Sequence, residues 1–163
     1  MIPDLLPILD GWNLYTNYGS AEVLAPGAKK TLLSLDRPGW ILLIKLSVDN
    51  PDVMLSLRWR TMYGRMVEYS FTPRLVYEDG LLNPNNLIWC SRYDDTSKVY
   101  VLYSIGSIPF YGQLEIAVEN KLQTPITILG WGYAVAVVED IGRFRESLRS
   151  IFASGKARPW WRA

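Results

Sequence analysis

Glu115 and Glu119 stand four residues apart in "YGQLEIAVENK", the obvious candidates for paired-carboxylate chemistry. On an extended strand they face the same way but lie roughly 13 Å apart, at about 3.3 Å per residue. Glycosidase pairs work at roughly 5–9.5 Å, so a solvated strand face is the better reading. Three acidic loops, "DNPD" (49–52), "YEDG" (77–80) and "YDDT" (93–96, with Asp94 and Asp95), offer oxygens to a calcium ion. None has the ligand spacing of an EF-hand, and the same residue types build turns, so no metal site is expected. "RWRTMYGRMVEY" sets Arg58, Arg60 and Arg65 among Trp59, Tyr63 and Tyr69, a mixture that can stack on sugars or nucleic acid. Trp59, however, shares the parity of Val53, Leu55 and Leu57 and so belongs to a core. The arginines are left as a wet or subunit-contacting face.

The chain has no histidine, which removes Ser-His and Cys-His catalysis and metal sites built on imidazole. Cys90 is alone, so it forms no internal disulfide, and no base is identifiable near it or near any Ser, Thr or Lys. There is no P-loop, dinucleotide fingerprint or nucleophile elbow. The expectation is a non-enzymatic protein with no catalytic residue and no cofactor. "MIPDLLPILDGW" has no basic stretch and is broken by Pro3 and Pro7, unlike a signal peptide, and "GWILLI" is far too short for a membrane span. A soluble chain without membrane contact is expected, cytoplasmic unless built into a particle.

The elements that position these groups read mostly as strands. Val53, Leu55, Leu57 and Trp59 alternate with Met54, Ser56, Arg58 and Arg60, and Leu114, Ile116 and Val118 alternate with Gln113, Glu115, Ala117 and Glu119. Val99, Val101, Tyr103 and Ile105 form a third alternating set. Turn residues punctuate the runs at "APG" (25–27), "DRPG" (36–39), "DNPD", "YEDG" and "NPNN" (83–86). Many short strands in 163 residues predict one antiparallel β-sandwich or barrel.

"TPITILGWGYAVAVVE" (124–139) differs, because neither of its faces is polar. Ile126, Ile128, Gly130, Gly132, Ala134, Ala136 and Val138 lie on one side, and Leu129, Trp131, Tyr133, Val135 and Val137 on the other. Such a strand is covered twice, by the core and by a tail helix or a neighbouring subunit. The period then changes: Ile141, Phe144, Leu148, Ile151 and Phe152 recur at helical spacing, Glu139 and Asp140 stand at the start, and Gly155 is a stop signal. From Arg143 onward there are six basic residues and one acid, a net of +5, which leaves −4 on the remainder. The basic charges form no nucleic-acid recognition module, so direct nucleic-acid contact is not expected. The closing "KARPWWRA" is aromatic enough to dock on another chain.

"GWILLIKLSVDNP" (39–51) is partly echoed by "YGQLEIAVENK" (111–121). Leu42, Ile44, Leu46 and Val48 in the first and Leu114, Ile116 and Val118 in the second read as inward sets. Lys45, Ser47 and Asp49, like Glu115 and Glu119, fall on the opposite parity. The acidic-Asn ends read as strand terminators entering turns, not as a duplicated site.

Val23 to Trp59 runs strand, Gly-bearing turn, strand, then a "PGW" turn into a long apolar strand and its antiparallel partner. Tyr111 to Val137 runs as a strand ending in Asn that returns through a short linker to a last hydrophobic strand. Over residues 20–138 this layout resembles the single jelly-roll domains of virion proteins. The resemblance implies an N-terminal arm (1–19), a jelly-roll-like β-sandwich (20–138), and a C-terminal amphipathic helix with a basic aromatic tail (139–163). It further implies a phage or archaeal-virus structural subunit of decoration, vertex, neck or baseplate type, located in the virion after assembly in the host cytoplasm. Its partners would be its own copies, as a trimer or pentamer, and another virion protein. The expected partner-binding residues are Arg158, Trp160, Trp161 and Arg162 of the tail, with Trp131 and Tyr133. The competing reading is a carbohydrate- or receptor-binding sandwich whose exposed Trp and Tyr stack on glycan rings.

Overall fold

The computed structural model describes residues 13–78 and 88–138, together with Gly142 and Glu146. Its strands are β1 (Asn13–Gly19), β2 (Glu22–Leu24), β3 (Lys29–Leu35), β4 (Pro38–Val48), β5 (Met54–Arg60), β6 (Met66–Phe71), β7 (Trp89–Asp94), β8 (Val99–Tyr111), β9 (Leu114–Glu119) and β10 (Ile126–Val137). A short helix, α1 (Pro73–Glu78), stands between β6 and β7. The described chain is therefore all-β. Apart from Gly142 and Glu146, the expected C-terminal helix and tail lie outside the described residues, as do Asp79, Gly80 and the "NPNN" turn. Strand structure begins at Asn13, inside the segment expected to be an arm.

Every strand pair is antiparallel. One sheet runs β1-β10-β4-β8-β7, with β2 also on β10, and the other runs β3-β9-β5-β6. Only β1–β2, β5–β6 and β7–β8 are neighbours in the chain that stay within one sheet; the other connections cross between sheets. This corrects the expectation that β4 and β5 are partners: β4 pairs β10 and β8, whereas β5 pairs β9 and β6. The reason is the distribution of apolar side chains. Ile44, Leu46 and Val48 of β4 and Leu55, Leu57 and Trp59 of β5 all enter one core cluster, which brings them together from opposite sheets.

Two irregularities decide which residues face that core. Register shifts on both sides of β4 leave Leu42 as an extra residue, so Ile41 and Ile44 are both buried while Leu42 joins a small separate cluster with Trp40, Val138 and Tyr111. Leu42 is thus not part of the inward set. A second shift, between Ile128 and Gly130, flips the parity of β10. Ile126 and Ile128 point inward before it, and Tyr133, Val135 and Val137 after it, so the two faces expected for this strand are mixed. The break between β2 and β1 falls opposite this point, since β2 pairs up to Ile128 and β1 resumes at Trp131.

On β8 the inward residues are Tyr100 and Leu102, the parity opposite to the expected Val99, Val101 and Tyr103. Both parities are apolar, so alternation alone cannot choose a face. Pairing does: Leu102 stands opposite Leu46 and Tyr100 opposite Val48, and cross-strand partners share a face.

The two Asn-terminated stretches end in the same local device. The Asn50 carboxamide oxygen accepts from the Asp52 N–H, and that of Asn120 accepts from the Leu122 N–H. Asn120 does more. It is fully buried, and its Nδ2 donates to the carbonyls of Leu24, Ala25 and Thr124 at 2.9–3.1 Å, joining the β2–β3 connection to the β9–β10 connection. The "PGW" residues also differ from expectation. Pro38 opens β4, where a missing N–H is tolerated, and Gly39 lies within the strand rather than in a turn. A Cβ on Gly39 would sit 2.2 Å from the Ala136 carbonyl oxygen and 2.8 Å from the Phe110 ring. Close packing, not turn geometry, requires the glycine.

Candidate assembly surface

The two sheets present outer faces of opposite chemistry. On the second sheet, the Lys29 ammonium lies 2.5 Å from Glu115 and 3.5 Å from Glu119, and Lys121 lies 3.7 Å from Glu119. The hydrogen bond that Lys29 donates to the Glu115 carboxylate raises the Lys29 pKa above its ordinary value. Arg60 donates to the Gln113 side chain at 2.9 Å, and exposed Arg58 stands opposite Glu68 in the ladder. The pair of glutamates is therefore bridged by a lysine from the adjacent strand on a hydrated, charge-balanced face. Trp59 turns inward and stacks on Tyr69 at 5.4 Å, as its parity indicates.

The outer face of the first sheet carries little charge. Register places Tyr18, Gly132, Lys45, Tyr103 and Trp89 in one row across β1, β10, β4, β8 and β7. Neighbouring rows hold Thr16, Ala134 and Leu43, then Leu14, Ala136 and Trp40. Leu14 and Tyr18 are 60% and 87% exposed, and Lys45 is the only charged side chain in these three rows. At one end, Trp40, Ala136 and Val138 are buried. Toward β1 the face opens, with Leu14, Thr16 and Tyr18 exposed, while Gly132, Ala134, Leu43, Tyr103 and Trp89 are half-buried.

Of the residues expected to contact a partner, Trp131 and Tyr133 turn the other way. Tyr133 is 9% exposed in the core cluster, and Trp131 packs against it, with the two rings stacked at 6.0 Å. Lys30 of β3 lies over the Trp131 ring at 5.6 Å and pairs with Glu22 of β2, closing this side of the core. The β10 bulge is what reverses them, and a single sequence carries no signal for it. Arg158, Trp160, Trp161 and Arg162 lie outside the described residues.

The acidic loops hold the frame. Asp52 receives two hydrogen bonds from Arg74, at 2.6 and 2.9 Å, tying α1 to the β4–β5 turn and lowering the Asp52 pKa. Asp94 accepts from Arg92, from the Ser97 hydroxyl and from the Thr96 and Ser97 amides, ordering the β7–β8 turn. Among the described residues no group of three or more His, Cys, Asp or Glu is placed to hold a metal ion. No described helix is long and apolar enough to cross a membrane.

Tyr77 stacks on Tyr93 at 4.2 Å, and Tyr93 meets the buried Tyr100 edge-on at 4.9 Å. The Tyr100 hydroxyl donates to Asp95 at 2.7 Å, and this bond, followed by burial, pushes the phenol up to about 12 from an ordinary 10.0. A raised pKa means the fold prefers the neutral phenol. Its contribution to stability is whole below about pH 10 and is lost as pH rises toward about 12. Burial raises Tyr93 as well, so a spectrophotometric titration should show late-ionising tyrosines, of which the latest, Tyr100, moves toward the ordinary value in Asp95→Asn. A profile identical in the variant would break the assignment.

No family model matches the chain, and no curated protein matches it.

Proposed function

We propose that the protein is a non-enzymatic virion structural subunit with a jelly-roll sandwich, which works by assembling as a symmetric oligomer on a capsid, neck or tail. Strand order supports the fold part of this reading. With β1 and β2 counted as one interrupted strand and β7 as an added edge, eight strands remain. Their orders are first-eighth-third-sixth and second-seventh-fourth-fifth, the arrangement that two Greek keys make in a jelly roll. A fold does not decide a function, so the assembly part rests on the surface. The observation that carries it is the contrast between the charge-balanced outer face of the second sheet and the apolar outer face of the first. Apolar outer surface is what a subunit buries against its neighbours.

The C-terminal segment supplies the second contact in this reading. The apolar residues of 139–152 recur at helical spacing in the sequence, and Trp160 and Trp161, flanked by Arg158 and Arg162, are the proposed anchors on a neighbouring copy or another virion protein. Deleting residues 156–163 should abolish the higher assembly, read as mass in solution, while leaving the far-ultraviolet circular dichroism of the sandwich intact. Unchanged assembly in the truncated chain would overturn the docking role.

A glycan-binding module needs several exposed rings gathered on one face, and of the row Tyr18, Tyr103 and Trp89 only Tyr18 is exposed, while Tyr103 and Trp89 pack on each other. The most exposed tyrosines instead lie on different elements: Tyr18 on β1, Tyr63 after β5, Tyr69 on β6 and Tyr77 on α1. That scatter favours assembly. Specific glycan binding abolished by replacing these tyrosines would reverse the ranking.

A further inference from the structure

Each sheet ends in strands that face no other strand among the described residues, and all but one of these strands carry protection against pairing. On the second sheet, β3 carries Lys29 and Lys30 with a register shift between Thr31 and Leu33, and β6 carries Glu68. On the first sheet, β7 carries Arg92 and Asp94, has a shift between Cys90 and Arg92, and is packed by α1. The opposite edge is shared by β1 and β2, which both pair with β10, and its β2 part carries Glu22. Charges and bulges of this kind are how proteins keep sheet edges from joining. β1 has neither. Its seven residues, "NLYTNYG", include no charge and no proline, and its register with β10 is unbroken from Asn13 to Gly19. Leu14, Tyr15 and Tyr18 are 60%, 38% and 87% exposed. This is a seven-residue uncharged edge with three exposed apolar or aromatic side chains, on which the Asn17 carboxamide oxygen accepts from the Tyr18 N–H at 2.9 Å, a local bond that strand pairing can exchange for one to a neighbouring strand.

The sequence of the strand is also compatible with a second copy of itself as the occupant. Thr16 is the central residue of β1. Antiparallel pairing of two such strands centred on Thr16 sets Leu14 of each against Tyr18 of the other, Tyr15 against Asn17, and Thr16 against itself. Aliphatic-aromatic and Thr–Thr pairs are favourable cross-strand combinations. No charge opposes a like charge, because the strand has none.

We propose that β1 pairs antiparallel with β1 of a second copy about a two-fold axis at Thr16, joining the first sheets of two copies into one continuous sheet. The inference deepens the assembly reading and rests on it, and it names the contact. A two-fold contact is self-complementary and closes with two copies. In a threefold or fivefold particle it links rings rather than forming one.

The test uses the full chain. Thr16→Cys should give a disulfide-linked dimer on mild oxidation, since Cα atoms of directly opposed residues lie about 4.5–5.5 Å apart, within disulfide reach. The native Cys90 is 5% exposed and leaves a clean background, and Thr31→Cys on the β3 edge serves as the negative control. Leu14→Lys and Tyr18→Glu should each weaken dimerisation about tenfold or more by mass in solution, and the double variant should recover it, because the new charges oppose each other across the axis. An unaltered chain that is a single copy at all concentrations would defeat both the assembly reading and this contact. An oligomer that persists in both single variants, with no cross-link at Thr16→Cys, would defeat the contact alone.

Discussion

Asn120→Ala is expected to lower stability by about 2–4 kcal/mol, and Asn120→Asp by more, measured as a shift in urea midpoint at constant slope. The Nδ2 group serves the Leu24, Ala25 and Thr124 carbonyls, and the carboxamide oxygen holds the Leu122 amide, all around a side chain with no exposed surface. Alanine removes the bonds to the Leu24 and Thr124 carbonyls and the Leu122 amide at a fully buried side-chain position, while the Ala25 carbonyl keeps the Ala28 N–H. Aspartate removes the donors and aims a carboxylate at three carbonyl oxygens, a repulsion that the single Leu122 N–H cannot offset. Equal stability of the aspartate and alanine variants would show that the amide's donors are not what joins the two connections. Asn50→Ala is the internal control. It breaks the same kind of turn at a less buried site and should cost about 1 kcal/mol or less.

Gly39→Ala is the second large effect, at about 3 kcal/mol. The added methyl meets a backbone oxygen, that of Ala136, at 2.2 Å, and a backbone atom cannot swing aside as a side-chain tip can. Both strands are central: β10 lies between β1 and β4, and β4 between β10 and β8, so moving either displaces two ladders. Gly132 gives the contrast. A methyl there finds its nearest neighbour, the Asn17 carbonyl oxygen, at 3.5 Å, an ordinary contact, so Gly132→Ala should be close to neutral. Thermal melts of the two variants side by side separate steric demand from any general intolerance of side chains in glycine-containing strands.

These two positions also mark how far the sequence could be read. The alternation of β5 and β9 was legible because one face is apolar and the other charged, and Leu55, Leu57, Trp59, Leu114, Ile116 and Val118 are all buried as that pattern requires. On β8 and β10 both faces are apolar, so period two holds no orientation, and on β4 and β10 an extra residue reverses it midway. Partner strands and bulges settle these faces, and neither is visible in a local window. For that reason Trp131 and Tyr133, expected at a partner contact, turn to the core side, Tyr133 buried and Trp131 half-buried. The candidate surface was half legible: an apolar second face on β10 was readable, whereas the uncharged edge of β1 becomes informative only when the protected edges are known.

The pairing of Asn13 with Val137 has a consequence for how the protein is made. Among the described strands, β1 bonds only to β10, so the first to leave the ribosome must wait for the last before it has a partner. At about 5–20 residues per second that wait lasts several seconds or more. A nascent chain therefore carries an uncharged strand with both edges open throughout synthesis, and yield should be limited by chain-to-chain pairing at high expression, eased by slower translation or lower temperature.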